Sequence, residues 1–296
     1  MQPPALVRVT LFHSPNAGEG VSAASLRDLI ERHGHTVVHS VSTNDDAHDL
    51  LSTRSDLVVA AGGDGTVASA ARVLAKRGMP LSVLPMGTAN NIALSLGVSR
   101  DLDQVISGWS TAKVRPFDLG RATGPWGERW FVEAVGGGLI ARSISAFERQ
   151  PADKAQPPRE ELIDAVRMHS EVLSGLKPTR WELMLDGKPI TGDYLLVAVL
   201  NIRLIGPNLD LCPNVDPTDG AFSVALFGEE HREALDAHLY HRTQEGHASI
   251  GHQCLRARHV EIERGDLLHI DDKVFEWLSA ARVDIRIEPA AIDLLI

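Results

Sequence analysis

The stretch that decides the fold is Leu57-Val58-Val59-Ala60-Ala61, followed at once by Gly62-Gly63-Asp64-Gly65-Thr66. The first five residues are apolar without alternation, as expected for a strand that is covered on both faces of a parallel sheet. The glycine-rich segment then leads into an alanine-rich helix predicted over residues 66–77, which ends before Gly78. A strand, a tight glycine turn and a helix in this order are typical of a doubly wound α/β domain.

Apolar runs divide the chain into two parts that differ in the predicted order of strands and helices. Before residue 118, predicted strands alternate with helical segments, at residues 6–12, 36–41, 57–61 and 81–84. After it, strands are predicted without regular crossover helices, at residues 130–135, 181–185, 194–200, 222–227, 259–262 and 283–287. Helices are predicted there over 159–174 and 230–240, with a loop over 151–158. We therefore predict an α/β domain over residues 1–117 and a mainly antiparallel β domain over residues 118–288.

The charge balance excludes one large class of partner. The 296 residues include 29 Lys and Arg against 39 Asp and Glu, which gives a net charge of −10. Proteins that bind nucleic acid neutralise phosphates with an excess of basic side chains, so no nucleic-acid partner is expected. The same charge gives no general attraction to an anionic membrane surface, and any membrane contact would be local.

The N-terminal and cysteine patterns bear on compartment and on metal binding. The N-terminal residues show no basic stretch followed by an apolar core, and no apolar run approaches the roughly 20 residues of a membrane span. The protein is therefore expected to be cytoplasmic. Its two cysteines, Cys212 and Cys254, lie outside any CxxC pair, which excludes a cysteine-rich zinc module and a disulfide scaffold. Both are expected to be small buried apolar groups.

The Gly62–Thr66 loop has the composition of an anion-binding turn. Its glycines allow the backbone to aim several N–H groups at one point, and the helix that follows adds its positive N-terminal dipole. Asp64 inside such a loop would repel phosphate unless a cation such as Mg²⁺ lies between them. The alternative is a plain strand-to-helix turn in which Asp64 caps the helix.

Two further loops repeat this architecture. Residues 14–20 follow the first predicted strand, and residues 85–91, Pro85-Met86-Gly87-Thr88-Ala89-Asn90-Asn91, follow the strand at 81–84. The carboxyl ends of parallel strands meet at one edge of a sheet, so the three loops are expected to converge there. Neither a GxxxxGK[ST] loop nor a GxGxxG loop after the first strand is present, which indicates a nucleotide-phosphate site of another kind.

These loops resemble the motifs NPxxG, GGDGT and PxGTxND of the diacylglycerol kinase catalytic-domain family of lipid kinases, in its bacterial form. The matching residues are 14–18, 62–66 and 85–91. The resemblance continues through Phe117-Asp118-Leu119-Gly120, the glycine-containing strand at 134–138, and the segment 211–220 that ends in Asp219-Gly220. NAD kinases share the GGDGT motif alone, so the whole set is the more specific signal.

The resemblance implies a fold, an activity and its cofactors. The implied fold is an NAD-kinase-like doubly wound N-terminal domain plus a mainly antiparallel β C-terminal domain, with residues 289–296 returning to the first domain. The implied activity is phosphorylation of a lipid hydroxyl by ATP with Mg²⁺. A lipid substrate further implies transient, peripheral contact with a membrane surface. The oligomeric state stays open, with a homodimer among the alternatives.

The resemblance also assigns roles to individual residues. The implied nucleotide-binding residues are Ser14, Pro15, Asn16, Ala17, Gly18, Thr43, Gly62, Gly63, Asp64, Gly65, Thr66, Val67, Ala68, Gly87, Thr88 and Asn90. Asp219 would hold a structural Mg²⁺ together with the backbone carbonyls of Asp216 and Ala221. Asp64, Asp118 and Asp219 would belong to a network of carboxylates, water and Mg²⁺, which Asn91 would join.

Three positions depart from the family pattern. Ser14 replaces the usual Asn, and Asn91 replaces the usual Asp, which removes one charge from the carboxylate network. The third departure affects the DGE motif, whose Glu is the family's general base. Here the segment reads Asp271-Asp272-Lys273, and a protonated lysine cannot accept a proton from a substrate hydroxyl.

The altered motif leaves three functions open. In a working kinase, Asp271 or Asp272 would accept the hydroxyl proton and Lys273 would neutralise phosphate charge, and Asp64 would position Mg²⁺. A degenerate kinase would bind nucleotide or lipid without turnover. A kinase of a water-soluble acceptor such as NAD is the third alternative. The acceptor lipid, whether diacylglycerol, ceramide or a sphingoid base, and the choice of ATP over GTP also stay open.

Overall fold

The computed structural model describes residues 6–15, 17, 21–149, 158–242, 254–276 and 281–296. The loop predicted over 151–158 lies outside these residues except for its last position. Contacts divide the chain into two compact units, residues 1–117 with 290–296, and residues 118–289. Each unit is described by itself below.

The first unit is a doubly wound α/β domain. Its elements are β1 (Arg8–His13), α1 (Ala23–Arg32), β2 (Thr36–Ser42), β3 (Leu57–Gly62), α2 (Asp64–Leu74), β4 (Leu81–Pro85), α3 (Asn91–Ser95), α4 (Leu102–Gly108) and the start of β5 (Val114–Gly124). The strands run parallel in the order β2-β1-β3-β4. Near the C-terminus, Leu294 pairs in parallel with Leu81 of β4. The predicted fold class of this unit is confirmed.

Helix α2 differs from its prediction at both ends. It begins at Asp64, two residues before the predicted start, and ends at Leu74 rather than at residue 77. Ala75 leaves the helical conformation, and Lys76 adopts a left-handed φ of 58°. The backbone N–H of Lys76 donates to the carbonyl of Ala291, so a tertiary hydrogen bond replaces the last helical turn.

The second unit is β-rich. Its elements are β6 (Gly127–Phe131), β7 (Ala134–Gly138), α5 (Leu139–Glu148), α6 (Pro158–Gly175), β8 (Thr179–Leu185), β9 (Lys188–Tyr194), β10 (Leu196–Leu200), β11 (Leu204–Ile205), β12 (Leu209–Asp210), β13 (Phe222–Phe227), α7 (Arg232–Arg242), β14 (Leu255–Ala257), β15 (His259–Arg264), β16 (Leu268–Ile270), β17 (Lys273–Phe275) and β18 (Val283–Leu295). Over the part of the chain that the structure describes, we find no helix with the length and apolar character that a membrane crossing requires.

Two apolar layers hold the second unit together. One antiparallel sheet has the order β14-β13-β10-β7-β16-β17, and a second sheet contains β9, β8, β15, the start of β18 and the β5–β6 hairpin. Trp181, Val197 and Val260 belong to the apolar layer between these sheets. The opposite face of the first sheet is covered by α5, α6 and α7, through a layer that includes Ile140 and Leu235. The mainly antiparallel β architecture predicted for this region is confirmed.

Two predicted strands are each divided in the structure. The strand predicted at 130–135 ends at Phe131 and resumes at Ala134. The chain bends there because the backbone N–H groups of residues 132–134 donate hydrogen bonds to the carboxylate of Asp271. The strand predicted at 194–200 belongs to β9 and β10, which meet at Leu195. Apolar content predicted both strands, but the bend between β6 and β7 depends on Asp271, far along the chain.

The two cysteines, expected to be small buried apolar groups, are bonded to each other, a pairing that the sequence did not predict. Cys212 and Cys254 form a disulfide with a Cα–Cα distance of 5.8 Å, and Cys212 is fully buried. The bond joins the residue that follows β12 by two positions to the residue that precedes β14. Forty-two positions separate the cysteines along the sequence, which explains why spacing alone did not reveal the pair.

Reduction of this disulfide is expected to destabilise the protein. For a separation of 42 residues, the loop-closure argument gives a loss of about 4 kcal/mol in the free energy of unfolding. Urea unfolding with and without dithiothreitol measures the difference. A Cys212→Ala/Cys254→Ala variant is the control, since its unfolding midpoint should not respond to the reductant. Equal midpoints for the native chain under both conditions would contradict the pairing.

Candidate functional site

The carboxyl ends of the parallel strands form one edge of the first unit. His13 of β1 pairs with Ser42 of β2 and Ala61 of β3, and Gly62 pairs with Pro85 of β4. Backbone hydrogen bonds tie the segments beyond the strands to this edge: Ser14 N–H to Ala61 at 3.1 Å, Thr43 N–H to His13 at 2.9 Å, and Met86 N–H to Gly62 at 2.9 Å. The structure therefore brings Ser14, Thr43 and both glycine loops together.

The two glycine loops touch each other through Gly63 and Gly87. A Cβ atom built on Gly87 would lie 2.4 Å from the Cα of Gly63, a distance that no side chain tolerates. Gly87 is held further by Asn90, whose amide oxygen accepts the Gly87 N–H at 2.9 Å and whose amide nitrogen donates to the Gly87 carbonyl at 2.6 Å. Asn90 adopts a left-handed φ of 52°. This residue, predicted to bind nucleotide, shapes the loop in the structure.

Asp64 connects the two loops. Its carboxylate accepts the backbone N–H groups of Asn91 at 2.9 Å and Ile92 at 2.8 Å. The side chain therefore caps the beginning of α3, the helix that follows the second loop, rather than its own helix α2. Asp64 is half-buried, so its chemistry fits a water ligand of Mg²⁺ as well as the cap.

The remaining residues that sequence assigned to the nucleotide have different surroundings. Gly65 and Pro15 are exposed, and Ser14, Ala17, Gly63 and Thr88 are partly exposed. Thr66, Val67 and Ala68 are buried in the first turns of α2, so their side chains belong to the core. Asn16 and Gly18 lie outside the described residues. The accessible part of this group is thus mainly backbone and small side chains, which suits the phosphate groups of a nucleotide better than its nucleobase.

In the second unit, Asp271 is a buried backbone acceptor. Its carboxylate accepts the N–H groups of Val132 at 3.2 Å, Glu133 at 2.8 Å and Ala134 at 3.4 Å, and the residue is 7% exposed. Its own N–H donates to the Ala134 carbonyl at 2.9 Å. Asp271 therefore fixes the bend between β6 and β7.

Asp118 is a second buried carboxylate of this unit that accepts a backbone N–H group. The Asp118 carboxylate accepts the Gly220 N–H at 2.7 Å, and its backbone N–H donates to Pro217 at 2.8 Å. Asn201 donates from its side-chain amide to the carbonyls of Asp118 and Val132, both at 2.9 Å. These bonds hold the segment around Gly220 against the β6–β7 bend.

The residues predicted to hold a structural Mg²⁺ already have protein partners. Asp219 accepts the Ala221 N–H at 3.1 Å and forms an ion pair with Arg256. Asp216 accepts from the backbone N–H and the hydroxyl of Thr218 at 2.9 Å and 2.7 Å. The guanidinium of Arg256 supplies the positive charge that a metal ion would supply at Asp219. The structure therefore places a guanidinium at the Asp219 carboxylate, and the Mg²⁺ site predicted from Asp219 and the backbone carbonyls of Asp216 and Ala221 stays a prediction.

Asp272 and Lys273 are on the surface of the second unit. Their side chains are 59% and 68% exposed, and the Lys273 ammonium lies 3.5 Å from the Asp272 carboxylate. Of the two aspartates predicted as proton acceptors, Asp272 is thus accessible and Asp271 is not.

Several residues in and near the site escaped sequence reasoning. Asn201 directly follows the apolar run of β10, and a polar residue at the end of a buried strand was a usable signal. Arg256 lies in the segment 256–260, which also resembles the family, but its pairing with Asp219 gave no sequence signal, because the two residues are 37 positions apart. His169 and His269 are both buried, and burial lowers the pKa of each to about 4. A lone histidine within an apolar sequence does not reveal whether it is buried.

Comparisons with known proteins agree with this geometry. The diacylglycerol kinase catalytic domain matches residues 8–122, and the YegS C-terminal NAD kinase beta sandwich-like domain matches residues 138–296. A diacylglycerol kinase of Mycobacterium tuberculosis is 30% identical over 243 residues, which cover 77% of this chain and 75% of that protein.

Solved structures show the same architecture. A diacylglycerol kinase from Bacillus anthracis superposes with a TM-score of 0.71 at 18% identity, covering 97% of this chain and 96% of that one. Yeast NADH kinase superposes with a TM-score of 0.53 at 12% identity, covering 99% of this chain and 84% of that one. At these identities the likeness shows the fold alone.

The α/β unit with its paired glycine loops, followed by the β-rich unit, defines a protein of the NAD-kinase-like fold class. Within that class, the matches to both domains and to the mycobacterial enzyme place the chain in one family. The protein belongs to the diacylglycerol kinase family of lipid kinases, as the loop motifs predicted.

The contact between the glycine loops gives a sharp test of the site. Gly87→Ala should lower the melting temperature by several degrees and weaken ATP binding, because the new methyl group meets the Gly63 backbone at 2.4 Å. Gly65→Ala is the matched control, since nothing lies within 4 Å of its Cβ and alanine favours the helix. Differential scanning fluorimetry with and without ATP measures both effects. Equal stability of the two variants would contradict the close contact.

The buried histidines predict a loss of stability in acid. Their folded pKa values of about 4 lie below the ordinary 6.5, so between these limits the unfolded chain binds protons that the folded chain does not. Stability is complete above pH 6.5 and should fall by about 1.4 kcal/mol per pH unit for each histidine as the pH drops toward 4. Urea unfolding at pH 7.5 and pH 5 measures this slope. His269→Phe should reduce the slope, and an unchanged slope would show that the ring is not buried.

Proposed function

We propose that the protein transfers the γ-phosphate of ATP to a hydroxyl group of a lipid. The observation that carries the proposal is the pair of glycine loops in contact at the carboxyl edge of the first unit, in a chain of the diacylglycerol kinase family. The mycobacterial relative is named a diacylglycerol kinase, which makes a glycerolipid a candidate acceptor.

The first unit provides the nucleotide's phosphate site in this proposal. Gly63, which is partly exposed, and Gly65, which is exposed, present backbone at the beginning of α2, where the helix dipole favours an anion. Because Gly63 and Gly87 lack side chains, a phosphate can approach the backbone of both loops. Asp64 fixes the second loop relative to the first through its bonds to Asn91 and Ile92.

Mg²⁺ accompanies ATP in the proposed reaction. When bound, it would neutralise phosphate charge, and the half-buried Asp64 carboxylate between the two glycine loops would hold one of its water ligands. The role of the protein is then to orient the phosphates through backbone N–H groups and to keep the loop geometry fixed. Positioning of this kind contributes most of the catalysis in phosphoryl transfer.

Asp272 is the residue proposed to act as the base that accepts the proton from the lipid hydroxyl. Asp271 is committed to three backbone N–H groups, and using it as a base would release the bend between β6 and β7. Asp272 is exposed and has Lys273 beside it. Lys273 then contributes positive charge toward the transferred phosphate instead of acting as the base.

A lipid acceptor implies contact with a membrane surface, and this contact is part of the proposal. With a net charge of −10, the protein gains no general attraction to anionic lipids. The contact is therefore expected to be transient and to depend on local side chains. A second candidate function, a nucleotide- or lipid-binding protein without turnover, is favoured by one observation, the lysine at position 273.

Transfer of labelled γ-phosphate from ATP into detergent-solubilised lipids tests the proposal. The acceptors are diacylglycerol, monoacylglycerol, ceramide, sphingosine and phosphatidylglycerol, with NAD as a water-soluble acceptor. Label is expected in a lipid, with dependence on Mg²⁺. Asp272→Asn should lower kcat by about 100-fold, because general base catalysis contributes about that much.

Asp193→Asn is the matched control, because Asp193 is an equally exposed carboxylate with a basic partner, Arg180, at 3.5 Å. It should retain full activity. Binding of ATP without transfer to any acceptor would favour the binding protein instead. Label in NAD alone would assign the chain to a water-soluble acceptor.

A further inference from the structure

A cavity of about 360 Å³ lies in the first unit, away from the two glycine loops. Its wall is formed by β4, the segment that follows α3, helix α4 with the residues just beyond it, the start of β5 and the end of β18. All of these residues belong to the first unit, and none belongs to either glycine loop. Small-molecule sites in proteins have volumes of about 300–1,000 Å³, so this cavity is large enough to hold a ligand.

The cavity has a buried floor and an exposed rim. On the floor, Trp109 is 4% exposed, and Ser82 and Val83 are each 1% exposed. On the rim, Gln104 and Arg115 are exposed. A molecule that fills the cavity therefore has one end in the interior of the unit and the other end in contact with solvent.

The floor of the cavity favours an apolar ligand. The indole N–H of Trp109 donates to the hydroxyl of Ser82 at 2.9 Å, and the hydroxyl of Ser99 donates to the side-chain oxygen of Gln104 at 2.6 Å. Apart from Arg115, the other residues of the wall are valine, leucine, isoleucine, alanine and glycine. The inner part of a ligand would therefore contact mainly hydrocarbon and the indole ring, and an alkyl chain gains most from such surroundings.

Arg115 determines the sign of the charge at the rim. Among the described residues, no acidic side chain lines the cavity, and over the same ranges Arg115 forms no ion pair. The carbonyls at the ends of α3 and α4 already accept backbone bonds, from Val98 to Ala93 at 2.9 Å and from Ala112 to Gly108 at 2.8 Å. A guanidinium at the mouth of an apolar cavity favours a carboxylate or a phosphate.

We propose that this cavity binds the acyl chain of an anionic lipid, with the chain against Trp109 and the carboxylate or phosphate at Arg115. The ligand class is a hydrocarbon chain with one anionic head group. A free fatty acid and the phosphorylated lipid of the proposed reaction both have this chemistry. The site itself does not depend on that reaction, because its residues lie outside the glycine loops and in a different unit from Asp272.

A brominated fatty acid tests the site on the unmodified protein. The terminal bromine of 11-bromoundecanoate quenches the fluorescence of a tryptophan that it contacts, and Trp109 is the one tryptophan of the first unit among the five of the chain. Saturable quenching is expected. The neutral 11-bromoundecan-1-ol has the same chain and should bind about fivefold more weakly, as expected for the loss of an exposed ion pair. Absence of saturable quenching, or equal affinity of the acid and the alcohol, would overturn the proposal.

Substitutions assign the quenching and the charge to particular residues. Trp109→Phe should remove the saturable quenching, and quenching that survives would place the ligand elsewhere and contradict the proposal. Arg115→Gln should raise the Kd of 11-bromoundecanoate about fivefold and leave that of the alcohol unchanged. Arg100→Gln is the matched control, because Arg100 is an exposed arginine of the same unit that does not line the cavity. Equal effects of the two arginine substitutions would overturn the role of Arg115.

A third substitution tests the cavity without altering its floor. Ala112 is a partly exposed residue of the wall, and Ala112→Phe fills space that the chain would occupy. Isothermal titration calorimetry with decanoate should show about tenfold weaker binding, since apolar cavities are sensitive to changes of this size. The melting temperature of the variant shows whether it is folded. Unchanged affinity in the folded variant would contradict binding in the cavity.

Competition distinguishes the two sources of the anionic head group. Decanoate and 1-decanoylglycerol 3-phosphate are each added to the protein with bound 11-bromoundecanoate, and 1-decanoylglycerol is the neutral control. Recovery of Trp109 fluorescence with an anionic lipid supports the site, and the stronger competitor identifies the head group. Recovery with neither anion, or equal recovery with the neutral lipid, overturns it. These measurements involve no phosphoryl transfer, so their outcome is independent of the proposed kinase activity.

Discussion

Buried carboxylates that accept backbone N–H groups are the interaction on which both units depend. Asp64 joins one glycine loop to the helix after the other, and Asp271 bends the chain between β6 and β7. Asp118 does the same for the segment at Gly220. A carboxylate accepts several such bonds at once, and each charge-assisted bond is stronger than a neutral one. These loops therefore have fixed shapes without help from regular secondary structure.

This use of carboxylates changes how the site is understood chemically. The acidic residues that the family motifs assign to metal ions are engaged with protein donors, and at Asp219 the positive partner is Arg256. The half-buried Asp64 carboxylate joins the two glycine loops. In the proposed reaction, charge neutralisation on the phosphates would depend on backbone N–H groups, the dipole of α2 and the nucleotide's own Mg²⁺. Lys273, on the surface of the second unit, fits the same account as an added positive charge.

The helix-covered layer of the second unit shows what a motif search overlooks. Cys212 and Cys254 were expected to be free, and they are bonded across 42 positions of sequence. His169 and His269 come from a helix and a strand a hundred residues apart, and both are buried in the second unit. Neither pair has a characteristic spacing, because these surroundings arise from packing helices on a sheet.

The local sequence was sufficient to predict the features that depend on residues close together along the chain. The apolar run at 57–61 and the glycines that follow it determine a buried parallel strand and a tight turn, and the motif set predicts the family. The division of the strand predicted at 130–135, the cap that Asp64 places on α3 and the guanidinium at Asp219 were decided by tertiary structure. Each of these depends on a hydrogen bond or ion pair between residues 27 to 139 positions apart. Such pairs form only after the chain has folded, because the entropy of closing a long loop is recovered by packing of the whole unit.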